Sequence, residues 1–305
     1  MKMSILLGLI CFTNINGELI AQNDGNKGKL KIAASQFPVS ADIDSNAIWI
    51  KKHMEEAKLN ECDIIHFPEC ALSGYAGVDH QSLDSFDWAG LRQQTESIIA
   101  FADTLDLWVI LGSTHRLSAG YKPHNSLYVI NPEGEIIDRY DKRFCTNGDL
   151  DHYSPGDHFV RFEVNNVQCG LLICYDVRFP ELYRAYMQEG AQLLFQSFYN
   201  ARQKPGGIHP KIMPVTAQAR AATNHFYLSL TNSSAAHSWP CHFITPDGLI
   251  AKKLIPNEPG LLISNIDLKE HFYDASKPYR KDAIQGKLFS GERIEDERSQ
   301  NRKIF

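Results

Sequence analysis

Apolar and polar positions along this chain follow two alternating periods. Short, nearly continuous apolar runs read as buried strands. They cover Leu30–Phe37, the run ending at Phe67, Leu107–Thr114, Ser126–Ile130, Glu135–Tyr140, Val167–Cys174, Leu193–Phe198, Phe226–Thr231 and Leu261–Ile266. Between them, apolar residues recurring every three or four positions predict helices over Ala47–Leu59, Trp88–Leu105, Glu181–Gln188 and Lys211–Thr223. Asn131-Pro132-Glu133-Gly134 is a hairpin-turn signal, and Ile244-Thr245-Pro246-Asp247-Gly248-Leu249-Ile250 mirrors it later. Strand–helix alternation followed by a hairpin thus occurs twice. Periodicity predicts an α/β fold with mostly buried strands in two similar halves.

Composition narrows the function classes. With 305 residues, 43% hydrophobic and 22% charged, the chain has ample material for a globular core. The net charge of −5 comes without any long basic run, which excludes nucleic acid as an expected partner. Pro205-Gly206-Gly207 lacks the Gly-Lys-Ser/Thr ending of a phosphate loop. The seven cysteines form no disulfide framework and no Cys-x-x-Cys pair, so neither a stapled fold nor a zinc site is expected.

The two ends differ from the middle. Lys2 precedes the apolar stretch Ile5–Phe12, which is too short to span a bilayer but suits the apolar core of a signal peptide. Cleavage would fall near Leu19-Ile20-Ala21. Residues 1–28 therefore read as a leader, either a signal peptide or a disordered extension. A reactive thiol is safest where thiols stay reduced, which favours the cytoplasm. Export follows instead if residues 1–21 are cleaved. A hydrolytic domain is expected over residues 29–268, and a polar tail over 269–305 anchored by little more than Phe272-Tyr273 and Tyr279.

Three strand ends carry candidate chemistry. Gly170-Leu171-Leu172-Ile173-Cys174 is an apolar strand ending in a thiol, followed by Tyr175-Asp176-Val177-Arg178-Phe179-Pro180-Glu181, a break and a helix start. Such a turn lifts a nucleophile into a cleft and leaves the next backbone N–H, near Tyr175, free to bind an oxyanion. A lone cysteine is more often inert packing, so partners are needed. Glu69 follows Pro68 where another strand stops, with Phe67, Leu72 and Tyr75 beside it; burial there would make it a useful general base. Lys142 stands at the end of the strand that covers Glu135–Tyr140 and could stabilise an oxyanion, although a solvated surface charge is the simpler reading for an isolated lysine. His66 and His209 sit where they could line a cleft, but a satisfied core or surface histidine is the simpler reading.

Glu69, Lys142 and Cys174, in that order and each at a strand end, resemble the Glu-Lys-Cys triad of the nitrilase, or carbon–nitrogen hydrolase, superfamily. The resemblance implies a four-layer αββα sandwich of two pseudo-repeated halves. It implies a thiol-dependent hydrolase of non-peptide carbon–nitrogen bonds, without metal or cofactor, acting on a small amide or carbamoyl compound. Members usually carry a second glutamate six residues before the proline of the Pro-Gly that follows the lysine; Asp149 stands there, one methylene shorter. Cys-Tyr-Asp followed by Arg-Phe-Pro-Glu looks like the amidase branches, including those acting on ω-amides of dicarboxylates. The alternatives are an N-carbamoyl amine hydrolase with the same triad and an inactive binding protein of the same fold. The resemblance also implies a homodimer or larger homo-oligomer, with the tail wrapping a neighbouring subunit. Arg202, after the strand Leu193–Phe198, is a candidate to bind a substrate carboxylate, against the simpler reading of a loop arginine.

Overall fold

A computed structural model describes residues 27–200 and 204–305. Residues 1–26 of the expected leader, and Arg202, lie outside these described residues. The elements are β1 (Lys29–Gln36), α1 (Ile43–Leu59), β2 (Ile64–His66), α2 (Trp88–Leu105), β3 (Trp108–His115), β4 (His124–Ile130), β5 (Ile136–Asp141) and the single-turn α3 (Asn147–Leu150). Then follow β6 (Arg161–Val164), β7 (Val167–Ile173), a 3-10 turn over Cys174–Arg178, α4 (Pro180–Gln188), β8 (Leu193–Ser197), α5 (His209–Asn224) and β9 (Tyr227–Thr231). The chain continues through β10 (His242–Ile244), β11 (Ile250–Lys253), β12 (Gly260–Asp267), α6 (Arg280–Ile284) and α7 (Glu297–Gln300). No helix among the described residues is long and apolar enough to cross a membrane.

Two six-stranded sheets form, ordered β12-β1-β2-β3-β4-β5 and β11-β10-β9-β8-β7-β6. The halves correspond strand for strand. β1-β2-β3 are parallel and β4 and β5 follow antiparallel; β7-β8-β9 are parallel and β10 and β11 follow antiparallel. Each set gains one antiparallel strand on its first edge, β12 on β1 and β6 on β7. β12 thus comes from the far end of the chain to complete the first sheet. β6 escaped the hydrophobic pattern because it is four residues long, with Phe162 and Val164 buried between exposed Arg161 and Glu163.

Side-chain alternation builds the layers. Leu30, Ile32 and Ala34 of β1 and Ile110 of β3 join one core with Leu171, Phe195 and Leu228 of the second sheet. Ala33, Phe37, Val109 and Leu111 face the other way and pack with Ile50 and Met54 of α1 and Leu91 and Ile98 of α2. The result is the expected four-layer αββα sandwich. α1 starts a turn earlier than its apolar spacing suggests, because Asp42 caps it by accepting from Ser45 N at 2.9 Å. Both expected hairpins form, with Gly134 at φ 69° and Gly248 at φ 87°. In the tail, Phe272 meets Tyr227 edge-on and Arg280 pairs with Asp274, while Tyr273, Leu288 and Phe305 are exposed.

A polar seam joins the sheets near the strand ends. His66 Nε2 lies 2.8 Å from Ser197 Oγ, and its Nδ1 3.2 Å from Ser229 Oγ. Ser197 Oγ and Thr231 Oγ1 both donate to Phe67 O, at 2.8 and 3.2 Å. Since Ser197 spends its proton on Phe67, the His66 donor is Nε2–H and Nδ1 accepts from Ser229. Burial pushes the His66 imidazole down to about 3, so it is a neutral pin between sheets and not a cleft residue. His209 is exposed at the start of α5.

Gly112 of β3 lets the turn after β2 close. A Cβ there would meet Pro68 O at 1.9 Å and Cys70 N at 3.1 Å. Gly112→Ala is expected to cost about 1–3 kcal/mol of stability by overpacking, read as a lower urea midpoint. A parental midpoint would show that the Pro68–Cys70 turn is not clamped by β3.

Candidate active site

Each strand that leads to the site delivers one side chain where its ladder ends. β2 stops at His66, and Pro68 cannot continue it, so Glu69 follows in the turn. Its amide donates to Phe198 O of the second sheet at 3.3 Å. β5 stops at Asp141, and Lys142 N still donates to Asn125 O at 2.8 Å, which holds the lysine against β4. β7 stops at Ile173, and Cys174 takes φ 43°, a left-handed conformation rare for residues other than glycine. That sharp turn aims the thiol away from its own strand.

The three side chains meet. Lys142 Nζ lies 2.8 Å from Glu69 Oε1 and 2.9 Å from Asp149 Oδ2. It also donates to Tyr75 OH at 3.2 Å, and that hydroxyl donates to Asp149 Oδ1 at 2.5 Å. Asn125 Nδ2 adds a second donor to Glu69 Oε1 at 2.8 Å. Glu69 and Lys142 are buried almost completely, at 0% and 1% exposure. Among the described residues, no amide, amine or hydroxyl reaches Glu69 Oε2. The Cys174 thiol is an electrostatic neighbour of the Glu69 carboxylate.

The charges set each group's ionisation. Burial raises Glu69 above the usual carboxylate value, against the pull of Lys142. Burial and the adjacent Glu69 charge raise the Cys174 thiol well above its usual value, so it rests protonated. Burial opposes charge on Lys142, but Glu69, Tyr75 and Asp149 outweigh it and hold the ammonium well above the usual lysine range. Burial also raises Asp149, yet Lys142 and the Tyr75 hydrogen bond bring it below the usual range. The shorter side chain is positioned by α3, where Thr146 Oγ1 accepts from Asp149 N and Asp149 Oδ2 from Thr146 N, at 3.1 and 2.8 Å.

Tyr175 is half-buried, with its ring edge-on to Phe179 at 5.4 Å and away from this hydrogen-bond network. Three participants have weak sequence signals. Tyr75 reads as an apolar neighbour, and its hydroxyl role needs the fold. Asn125 shows only as a buried amide inside a strand. Asn200 Nδ2 reaches Cys174 Sγ at 3.8 Å while its Oδ1 accepts from Trp239 Nε1 at 2.9 Å, and nothing local marks either residue.

The carbon-nitrogen hydrolase family model matches residues 31–271, most of the chain and all of these positions. The chain belongs to that family. Among curated relatives, the hydrolase is 26% identical over 256 residues to omega-amidase NIT2 of Homo sapiens, covering 79% of this chain and 89% of that protein. It is 30% identical over 177 residues to an (R)-stereoselective amidase of Pseudomonas sp., covering 58% and 61%. Among solved structures, an amidase from Nesterenkonia sp. superposes with a TM-score of 0.69 at 20% identity, covering 79% of this chain and 92% of that one. A variant of the Nesterenkonia sp. AN1 amidase superposes at 0.71 with 19% identity, covering 86% and 95%; it shows covalent addition of the acetamide moiety of fluoroacetamide at its active-site cysteine.

The hydrolase's buried ion pair gives a signed pH expectation. Lowered Asp149 contributes stability above the usual carboxylate pKa, lost as pH falls through its lowered value. Raised Lys142 contributes stability below the usual lysine pKa, lost as pH rises through its raised value. Asp149→Ala should therefore cost about 3–5 kcal/mol at neutral pH, as when one member of a buried pair is removed. Denaturant titration at pH 7 measures it, and a loss below about 1 kcal/mol, the worth of an exposed pair, would mean that Asp149 does not balance the ammonium.

Proposed function

We propose that this carbon–nitrogen hydrolase is an amidase working through a Cys174 acyl-thioester, with Glu69 as base and Lys142 as oxyanion donor. The observation that carries the reading is the split of the Glu69 carboxylate. Oε1 is held by Lys142 and Asn125, while Oε2 has no donor among the described residues, and the carboxylate neighbours the Cys174 thiol. A carboxylate fixed at one oxygen has one place left to take a proton.

The steps follow from that split. Glu69 Oε2 takes the Cys174 proton as sulfur attacks the amide carbonyl. The developing oxyanion is met by the backbone N–H near Tyr175 and by Lys142. All three Lys142 protons are engaged at rest, by Glu69, Asp149 and Tyr75. The 3.2 Å bond to Tyr75 is the longest, and it is the one that yields to the oxyanion. Glu69 returns the proton to the departing amine or ammonia. It then deprotonates a water that cleaves the thioester. Asp149 keeps Lys142 charged throughout, and its 2.9 Å contact supports an enzyme over an inactive binding protein. The likeness to an omega-amidase and to stereoselective and Nesterenkonia amidases supports amides over carbamoyl amines as substrates.

Cys174→Ala should abolish turnover and keep the fold. Glu69→Gln and Lys142→Ala should each cost about 100-fold or more in kcat. The assay is ammonia release from butyramide, succinamate, glutaramate and N-carbamoyl-β-alanine, with mass spectrometry of the trapped Cys174 adduct. Turnover in Cys174→Ala would end the reading. Hydrolysis of the carbamoyl compound alone would move it to a carbamoyl amine hydrolase.

A further inference from the structure

One buried carboxylate outside the Glu69–Lys142–Cys174 group reaches both sides of it. Asp176 lies two residues beyond Cys174, in the 3-10 turn, and is 0% exposed. Its Oδ2 accepts from Ile173 N at 2.9 Å, the amide just before the nucleophile. The same oxygen accepts from Tyr140 OH at 2.8 Å, two residues before Lys142. Its Oδ1 accepts from Phe144 N at 3.0 Å, two residues after Lys142. The Phe144 ring also stacks on Phe179, which closes the Cys174 turn. Two segments from different sheets, carrying the thiol and the ammonium, are thus tied to one side chain.

We propose that Asp176 is a positioning residue that couples the Cys174 turn to the end of β5, and so fixes the thiol relative to Lys142 and Glu69. This rests on the roles given above to those three residues. Asp176 acts only through them and touches no substrate.

The form of the tie explains why a carboxylate stands there. Three donors converge on it from two directions. Only a group with acceptors on both atoms serves Ile173 N and Phe144 N together. The residue is kept against its own electrostatics. The titratable groups that act on it are Tyr140 of β5, Lys142 and Cys145 just beyond β5, and Tyr183 and Tyr186 of α4. Tyr186 OH donates instead to Leu171 O and Tyr183 OH to Gln196 Oε1. Burial consequently pushes Asp176 up to about 6, despite its three donors. A raised carboxyl pKa means that stability is lost as pH rises through that value. At neutral pH the charge on Asp176 weakens the fold, so its value lies in geometry.

Asp176→Asn separates the two roles. A carboxamide of the same shape carries no charge, and its single oxygen can serve only one of the two backbone amides. Loss of the buried charge offsets loss of one backbone acceptor, so the thermal midpoint at pH 7 should stay within about 5 °C of the parent's. kcat should fall about tenfold or more with KM within about twofold, as expected when reacting groups shift by ~1 Å. Alkylation of Cys174 by iodoacetamide at pH 7, which needs no substrate, should slow in parallel. Tyr140→Phe removes one donor of three and should give the same pattern at smaller amplitude; it decides the matter if the Asn variant does not fold. Parental kcat and alkylation in both variants would overturn the proposal. So would losses that merely track a lowered thermal midpoint. If Cys174→Ala kept turnover, the catalytic reading itself would fall; if Cys174 is required and Asp176→Asn is silent, only the coupling role falls.

Discussion

Everything at this site depends on keeping one buried ammonium charged. Lys142 is 1% exposed, and an unpaired buried charge costs several kcal/mol. Two carboxylates compensate, Glu69 and Asp149, at 2.8 and 2.9 Å. Two negative charges around one positive leave a surplus. Burial, helped by that surplus, raises the Glu69 carboxyl and keeps the Cys174 thiol protonated. The ion network therefore sets the proton inventory of the site as well as its shape.

Such a network needs walls that do not yield. They come from two sheets packed face to face, whose ends are joined by the His66–Ser197–Ser229 seam and by two hydroxyls on Phe67 O. The seam lies directly behind the turn that carries Glu69. Buried polar groups that are fully satisfied specify one geometry, because any other arrangement leaves an orphan. Trp239 and Asn200 extend the same logic to the thiol, at 2.9 and 3.8 Å.

Two of the left-handed residues among those described lie at the site. Cys174 and Cys70 both hold positive φ, at 43° and 52°, each beside the point where a strand gives way to the site. Asp176 adds a buried charge to the first of these turns. A less constrained chain would be easier to fold and would hold the sulfur less firmly.

The sequence by itself determined the strands, most helix spans, both hairpins and the doubling of the α/β unit, because these follow from local periodicity and turn chemistry. It also marked Glu69, Lys142 and Cys174, since a polar residue at the end of an apolar run is a local event. β6 was hidden by its shortness, and the start of α1 by a cap outside its apolar stripe. Tertiary structure alone decided that β12 pairs with β1, that Tyr75 bridges Lys142 and Asp149, and that Asn125 occupies one oxygen of Glu69. It also decided that His66 pins the sheets and that Asp176 spans two of them. Those contacts join residues far apart in the chain. Their existence depends on which faces the sheets bury, and no window of sequence contains that information.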